Sequence, residues 1–591
     1  MTEKQKEMPK WLKQRYSILW ESFKEDTFTM DKAVEILKSK SKARKEDVAV
    51  YISELRKLGY LIAKSNETDY RKRIYTLQPI KDIVTELRSM DKTELGRDEI
   101  ESILKRAADL IRTRVDYKFI LVLLFLKRIS DKWQQKYDEE FRKALKDGLK
   151  ESEAKKEAED SAYHDFDMPQ EYLWDNIRKD VSKLPEKFSM ALKKLAELNP
   201  EFKDTLDNVD FVQFAQNREN YEILRQLVEL FSEKKLHDVS PDILGDSYEW
   251  ILKHFAPQKA KEGEVYTARE VIRLLVEILE PKPKENVYDP ASASNGMLIV
   301  SYNYVSEKYG RKEAEKLFLS GQEVNPKTLT LGKMNMYIHD IKNAQVASGD
   351  TLLYPKFKGK DGIKQFDVVI ANPPWNQDGY DEEVLKKGDF WQKRFSYGFT
   401  PRQSADWAWI QHMLASAKNT TGRVGVVIDN GCLFRGGKEM AIRKKILEED
   451  LIECLILLPE KLFYNTAAPG AIMILNKNKK SERKNKVLII NASQEFEQHP
   501  EVRKLNILSD KNIKNIVDVY NGYKNIKGFS RAVPIEEIKS NDFTLNVTMY
   551  VFPEEEHEDI DITKEWQELK TLEKELQKTE IKIEGYLKEL K

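Results

Sequence analysis

The stretch Phe366 to Asn376, FDVVIANPPWN, joins an apolar run to an amide, two prolines and an indole. The run up to Ala371 is short, apolar and rich in β-branched residues, which predicts a buried parallel strand. The two prolines end that strand, fix two φ angles and remove two backbone donors. We therefore expect rigid carbonyl acceptors at the carboxyl end of a strand, where open α/β sheets bind their ligands.

These acceptors suit an amine whose lone pair is delocalised into a ring, such as N6 of adenine. The side-chain carbonyl of Asn372 and the backbone carbonyl of Pro373 would each accept one amine hydrogen, with Pro374 keeping the backbone rigid. The nitrogen lone pair would then be directed at an electrophile. Trp375 offers a face on which an extruded base could stack, worth roughly 1–3 kcal/mol. The alternative is an ordinary turn with a core tryptophan.

Acidic residues end three further predicted strands. Asp289 in VYDPASASNGMLI precedes a turn of small residues and an apolar helix, which suits a ligand with an adenosine and an ionic end. Glu323 in SGQEVNP is placed to hold a ribose diol, and Asp350 in ASGDTL to accept from an adenine amino group. Three acids on successive strand ends form one rim. The loop residues expected against the ligand are Ser294, Asn295 and Gly296.

The elements that must position these residues begin at about residue 256, where strand and helix patterns alternate. That alternation predicts a doubly wound, parallel α/β sheet of seven strands. Cys432 and Cys454 lie in apolar runs without a CxxC pattern, so we expect reduced core residues, no disulfide and no zinc site. The predicted strands are ENVYD, LFLSGQE, AQVASGD, FDVVIAN, RVGVVID, LIECLILL and GAIMILNK.

The N-terminal segment, residues 1–90, predicts three helices followed by a two-stranded hairpin, the order of a winged helix-turn-helix. Residues 1–80 contain eighteen Lys/Arg and twelve Asp/Glu, a surplus of six positive charges. Together with Arg71, Lys72 and Arg73 on the hairpin, this surplus suits a phosphate backbone. Winged helices also serve as protein docking modules, so DNA contact and protein docking both remain open.

The rest of the chain divides into three predicted segments. Residues 91–255 predict a helical domain, residues 256–490 the α/β domain, and residues 491–591 a C-terminal extension. The extension ends in a helix with apolar residues at the spacing of an a/d seam, which packs against a partner chain or folds back. The seam residues are Ile562, Trp566, Leu569, Leu572, Leu576, Ile583, Leu587 and Leu590.

The composition argues against a strongly basic nucleic-acid-binding protein and against a secreted or membrane protein. The 591 residues include 100 Lys+Arg and 100 Asp+Glu, so the whole chain carries no net field that would attract a polyanion. Any nucleic acid must be bound by local patches or through a partner. The N-terminus lacks the apolar core of a signal peptide, and no apolar run reaches the roughly 20 residues of a membrane span. We expect a soluble, cytoplasmic chain without a membrane partner.

The motifs together resemble the Asn-Pro-Pro-aromatic DNA methyltransferases that use S-adenosylmethionine, and most closely the modification (methylase) subunits of type I restriction-modification systems. The likeness runs through most of the chain from about residue 95. It rests on ILGDSYEWIL, GEVYTAREVIRLLVEIL, GQEVNPKTLTLGKMNMYIHDI, FDVVIANPPWN, ADWAWIQHML, NGCLFRGGKEMAIRKKILEEDLIECLILLPEKLFYNTAAPGAIMILNK and FTLNVTMYV.

The resemblance implies a site-specific adenine-N6 methyltransferase that acts on a flipped adenine and needs neither a metal nor a covalent enzyme intermediate. It places Tyr266 and Thr267 over the methyl donor, and the motif order favours adenine N6 over cytosine N4. The implied partners are double-stranded DNA, a separate specificity subunit and a second copy of the methylase subunit. ATP-driven translocation would belong to a further restriction/translocase subunit, because this chain has no Gly-x-x-x-x-Gly-Lys-Ser/Thr loop.

Two departures from the family pattern bear on donor binding. The family loop reads Asp-Pro-x-x-Gly-Ser/Thr-Gly-Gly, whereas this chain places Ala293 and Asn295 where glycines are expected, and Ala268 replaces the proline of Tyr-Thr-Pro. If those loop positions need a positive φ, alanine is strained there and asparagine tolerates it better. Two rival functions remain: a degenerate methylase that only binds DNA, and a methyltransferase for another planar amine, in RNA or a protein glutamine.

Overall fold

The structure is a computed structural model, and it divides into two compact units. One unit comprises residues 1–103 with 232–244, and the other residues 104–231 with 245–591. The predicted wing residues Arg71 and Lys72 lie outside the described residues, as do Tyr266 and Leu590. The structure describes residues 10–24, 26–41, 45–58, 60–65, 73–77, 97–111, 116–202, 206, 209–260, 267–360, 362–463, 466, 468–500, 502, 504–553 and 562–589.

Helices occur in both units. The α-helices are Lys10–Phe23, Met30–Ser41, Lys45–Lys57, Arg97–Ile111, Lys118–Lys146, Glu151–Ala158, Trp174–Ile177, Leu184–Leu198, Phe211–Phe214, Arg218–Ser232, Pro241–Ala260, Arg269–Leu279, Gly296–Tyr309, Arg311–Ala314, Pro326–Ile338, Glu382–Leu385, Trp391–Arg394, Asp406–Ser416, Lys438–Glu448, Asp510–Gly522, Ile535–Ser540, Val547–Tyr550 and Ile562–Glu589. The 3₁₀ helices are Ser161–Tyr163, Gln170–Tyr172, Val181–Lys183, Pro200–Phe202, Asn430–Leu433 and Ser481–Arg483.

Strands form one large sheet and three small ones. The strands are β1 (Phe28–Thr29), β2 (Leu61–Ser65), β3 (Arg73–Leu77), β4 (Asn286–Asp289), β5 (Phe318–Glu323), β6 (Gln345–Ser348), β7 (Lys358–Gly359), β8 (Gly362–Ile363), β9 (Val368–Ala371), β10 (Arg423–Asp429), β11 (Ile452–Leu457), β12 (Gly470–Asn476), β13 (Lys486–Asn491), β14 (Glu497–Gln498), β15 (Asn506–Ile507) and β16 (Ser530–Pro534).

The large sheet has the order β16-β13-β11-β12-β10-β9-β4-β5-β6. All seven predicted strands belong to it, but β13 and β16 join it as well, so the predicted count of seven is wrong. β13 has an apolar strand pattern but lies across the predicted boundary at residue 490. β16 has a weak apolar pattern of its own, and it extends the sheet by pairing antiparallel with β13.

The sheet is mixed, whereas the alternating pattern predicts a parallel one. β9, β4, β5 and β6 pair in parallel, as do β9 with β10 and β11 with β13. β12 runs antiparallel to both neighbours, β10 and β11. The link from β11 to β12 contains no described helix, and a parallel connection generally requires a crossover that is usually helical. β12 therefore returns in the opposite direction, between its two neighbours.

Helices cover both faces of the sheet, as a doubly wound fold requires. Along β9, Val368 and Ile370 face one core and Val369 and Ala371 the other. The first core contains residues of helices Arg269–Leu279, Gly296–Tyr309 and Asp510–Gly522. The second contains residues of Asp406–Ser416, Lys438–Glu448 and Ile535–Ser540. Cys454 and Cys432 are buried in the first and second core, respectively, as predicted.

In the N-terminal segment, three helices precede the β2–β3 hairpin, which is the predicted order of elements. β2 pairs antiparallel with β3 in the register Leu61↔Leu77, and β1 pairs with the other edge of β3. The helices and strands enclose a core of their own that includes Leu19, Leu37 and Leu55. Arg73, at the start of β3, is exposed.

The helical region that follows is built on Lys118–Lys146, whose residues 120–126 are all buried. Most of this region belongs to the same unit as the large sheet, and Phe202 lies 4.7 Å, between ring centroids, from Tyr337 on the helix after β5. Among the described helices, none combines the length and apolarity needed to cross a membrane.

Candidate functional site at the carboxyl edge of the sheet

Four adjacent strands carry a predicted site residue at or just beyond their carboxyl ends. Asn372 follows β9 directly, Asp289 ends β4, Glu323 ends β5, and Asp350 follows β6 by two residues. The four strands pair in parallel in the order β9-β4-β5-β6. Because neighbouring strands lie about 4.8 Å apart, the four strand ends form one continuous rim about 15 Å long. The structure thus brings together the amide and the three acids that the sequence singled out.

The Asn372 side chain is fixed by two hydrogen bonds. Its Nδ2 donates to Thr267 Oγ1 at 2.8 Å, and its Oδ1 accepts from Trp375 Nε1 at 2.9 Å. These partners define which end of the amide is the acceptor. An amide oxygen has two lone pairs, so one remains for a further donor after the indole N–H is bound.

The Pro-Pro-Trp segment is held rigidly beyond Asn372. Pro373 is buried and Pro374 is exposed. Within the described part of the chain, no hydrogen bond to the Pro373 carbonyl is present. The half-buried Trp375 ring lies 4.9 Å from Phe463, at an interplanar angle of 70°. One tryptophan therefore both supports the Asn372 carbonyl and packs beside the strand end.

The turn after Trp375 is fixed by an ion-pair network that the sequence motifs did not reveal. The backbone N–H of Asn376 donates to Asp406 at 2.9 Å, and its side-chain oxygen accepts from Arg435 at 2.8 Å. Arg435 also pairs with Asp406, Asp429 and Glu439. Asp406 lies in ADWAWIQHML, and Arg435 and Glu439 lie in FRGGKEMAIR. Both segments contribute to the family resemblance, but neither predicts that these residues pair with one another.

The loop after β4 contains two residues in the left-handed region. Ala293 has φ +42° and Asn295 φ +63°, so both positions where the family has glycine do require a positive φ. The Ala293 N–H donates to Glu323 Oε2 at 3.0 Å, and Asn335 Nδ2 donates to the Ser294 carbonyl at 3.0 Å. These two bonds hold the loop against the end of β5 and the helix that follows it.

Asn295 faces inward from this loop. Its side chain is fully buried, and a Cβ added at Gly332 would lie 2.8 Å from Asn295 Nδ2. Ser294 and Gly296 instead line a cavity above the loop, together with Thr267, Asp289 and Asn372. The structure therefore places five of the predicted site residues on one cavity and Asn295 beneath it.

Asp289 is the most deeply buried acid of the rim, with 1% of its surface exposed. Burial raises the pKa of its carboxyl to about 8, against the opposing effect of a hydrogen bond from the Ala291 N–H. The nearby Glu323 carboxylate raises the pKa further. A cation placed beside Asp289 would favour its ionised form.

Glu323 and Asp350 have partners that shape the outer part of the rim. Glu323 accepts from the Asn325 N–H at 2.8 Å in addition to Ala293. Asp350 accepts from Tyr380 Oη at 2.8 Å and from the Leu353 N–H at 3.1 Å. Both carboxylates are thus oriented by neutral donors. Tyr266, the other residue predicted over the donor, lies outside the described residues.

Comparisons with known proteins match two family models to this chain. The family model described as N-6 DNA Methylase matches residues 239–559, and the model described as HsdM N-terminal domain matches residues 100–231. The first match includes all nine strands of the large sheet, which carries the rim.

Two relatives resemble the chain over nearly its whole length, and a solved structure resembles about three quarters of it. The type I restriction enzyme MjaVII methylase subunit of Methanocaldococcus jannaschii is 44% identical, over 98% of this chain and 98% of its own. The MjaVIII methylase subunit of the same organism is 43% identical over the same shares. The crystal structure of the type I restriction-modification system methyltransferase subunit from Streptococcus thermophilus is 25% identical, with a TM-score of 0.66, covering 77% of this chain and 100% of that one.

The positive φ of Ala293 predicts a stabilising substitution. Ala293→Gly should raise the free energy of unfolding by about 0.5–1 kcal/mol, because relief of a left-handed alanine outweighs the larger entropy of glycine in the unfolded chain. Urea unfolding midpoints measure the change. Ala215→Gly is the matched control, since Ala215 is also half-buried but has φ −89°, and it should lower stability. Equal destabilisation by both substitutions would contradict the strain at Ala293.

Proposed function

The chain belongs to the N-6 DNA methylase family, as a methylase subunit of the type I restriction enzymes, and we propose that the rim at the carboxyl edge of its sheet is the active site. The protein is an adenine-N6 DNA methyltransferase and uses S-adenosylmethionine as methyl donor. One observation carries the assignment of the site. The Asn372 amide, oriented by Thr267 and Trp375, adjoins the strand end that bears the buried Asp289.

The residues of the rim fit the donor by their chemistry. When bound, S-adenosylmethionine supplies an electrophilic methyl group on a positively charged sulfur. Asp350 would accept from the adenine amino group and Glu323 from the ribose hydroxyls, since Glu323 ends β5 and Asp350 follows β6, the two strands of the rim farthest from Asn372. Asp289 lies at the ionic end, where its ionised form would stabilise positive charge. Thr267 and Tyr266 would cover the donor, Ser294 and Gly296 would contact it, and Asn295 would support the loop.

The acceptor side is formed by the Asn-Pro-Pro-Trp segment. Asn372 Oδ1 and the Pro373 carbonyl would each accept one hydrogen of the adenine N6, which directs the nitrogen lone pair toward the donor. Pro374 restricts the backbone that positions these acceptors. Trp375 would stack on the flipped base. No step in this scheme calls for a metal ion or a covalent enzyme intermediate.

Recognition of the DNA sequence would be the task of a partner subunit. A separate specificity subunit would select the site on double-stranded DNA, with a second copy of this chain and a restriction/translocase subunit completing the complex. The C-terminal helix supports a docking role, because Leu569, Leu572 and Leu576 on it are 47%, 60% and 60% exposed. The N-terminal segment, with exposed Arg73, is the second candidate for contact with DNA or protein.

Removing the Asn372 amide tests the acceptor role. Asn372→Ala should reduce methyl transfer to DNA by at least a hundredfold, because the amine loses a positioned acceptor, while donor affinity stays within about threefold. A labelled-donor assay and isothermal calorimetry measure the two quantities. Asn419→Ala is the control, since Asn419 is exposed and precedes β10 at the opposite edge of the sheet. A parallel loss of transfer and donor binding would contradict the assigned role.

The raised pKa of Asp289 predicts pH-dependent donor binding. Below pH 8 the free carboxyl is protonated, and a cationic donor favours the ionised form, so binding must release a proton. Affinity should therefore increase as pH rises from 6 to 8, by at most about tenfold per pH unit. Calorimetry in buffers of different ionisation enthalpy measures the released proton. Asp289→Asn should remove this dependence, and proton release unchanged in that variant would refute the assignment.

The exposed seam of the C-terminal helix predicts a defined assembly defect. Leu569→Glu combined with Leu576→Glu should abolish co-purification with the specificity subunit, because two carboxylates would be buried in the interface. Gln567→Glu combined with Thr571→Glu adds the same charge to the same helix outside the seam and should leave the complex intact. Retention of the complex by the leucine variant would rule out docking through this seam.

A further inference from the structure

A buried acid that has no assigned role shares the donor cavity. Glu249 lies on helix Pro241–Ala260 and is 7% exposed. Its Oε2 lies 3.2 Å from Arg269 Nη1, and Asp246, one helical turn earlier, also pairs with Arg269. Glu249 and Arg269 line the same cavity as Asp289, Thr267 and Asn372. The roles assigned so far use neither Glu249 nor its ion pair.

The position of the cavity along the rim identifies the part of the donor that it faces. Its lining includes Asn372 and Asp289 at the ends of β9 and β4, but neither Glu323 nor Asp350. On the proposed function, those two outer acids hold the adenosine. The reacting methyl must lie next to Asn372, so the remaining part of the donor, its amino-acid tail, extends toward Thr267 and Arg269.

We propose that Glu249 is a donor-binding residue whose carboxylate accepts hydrogen bonds from the α-ammonium group of the donor's amino-acid tail. Arg269 and Asp246 act as positioning residues that hold Glu249 at the cavity wall. This inference rests on the proposed function, since it concerns the same donor site. A carboxylate and an ammonium ion form a charge-assisted hydrogen bond, which is stronger than a neutral one and strengthens further when water is excluded.

Charge and space both favour this assignment. Asp246, Glu249 and Arg269 together carry one net negative charge, which attracts the positively charged end of the donor. The cavity measures about 40 Å³, so the tail enters only when a lining side chain moves. The Arg269 side chain is 37% exposed and can shift to widen the cavity, while its pairing with Glu249 Oε2 leaves Glu249 Oε1 to accept from the ammonium group.

The test compares ligands that share the adenosine but differ in the tail. S-adenosylhomocysteine has the ammonium and the carboxylate, decarboxylated S-adenosylmethionine keeps the ammonium, and 5′-methylthioadenosine lacks both. Glu249→Gln should weaken the first two by about tenfold or more, as expected for loss of a charge-assisted bond, and leave the third within about twofold. Calorimetry on the full chain measures all three. Unchanged 5′-methylthioadenosine binding also verifies that the variant is folded.

A control variant and the results that would overturn the proposal define the role of Glu249. Glu277→Gln removes a carboxylate from the neighbouring helix Arg269–Leu279, outside the cavity, and should change none of the three affinities. Parallel weakening of all three ligands by Glu249→Gln would mean a purely structural ion pair and overturn the proposal, as would no change in any of them. Failure of the unmodified chain to bind any of the ligands would instead refute the donor site itself.

Discussion

Parallel pairing of β9, β4, β5 and β6 is the constraint on which the candidate site depends. Because these strands run in one direction, the residues that end them meet at one edge of the sheet. Asn372 and the three acids therefore occupy successive positions along a single rim. An antiparallel strand in this group would send its terminal side chain to the opposite edge. The antiparallel β12 lies outside the group, between β10 and β11.

Rigidity at the end of β9 comes from contacts as well as from proline. Thr267 and Trp375 bind opposite ends of the Asn372 amide, so its orientation is set before any amine approaches. Asp406 and Arg435 fix the next turn through Asn376. Positioning groups in advance lowers the entropic barrier to a reaction, because less freedom is lost when the reactants meet.

The donor loop shows how a departure from a family pattern can be accommodated. Ala293 adopts a strained positive φ and is held by Glu323, while Asn295 adopts a similar φ and fills the space beside Gly332. Glycine at either position would adopt the positive φ without strain, and at position 293 it would keep the bond from its backbone N–H to Glu323. In this chain, a backbone hydrogen bond at Ala293 and the buried side chain of Asn295 hold the loop in the conformation that glycine would adopt freely.

The sequence by itself determined the chemical groups and the local elements: seven sheet strands, the Asn-Pro-Pro-Trp stop and the acids at the strand ends, because short-range periodicity and proline geometry act over a few residues. Only the tertiary structure decided the insertion of β12, the inward direction of Asn295 and the partners of Asn372 and Glu249. Those features join segments distant in the chain, such as Thr267 with Asn372, 105 positions apart. Local sequence patterns do not predict such contacts, because they form only when the whole domain packs.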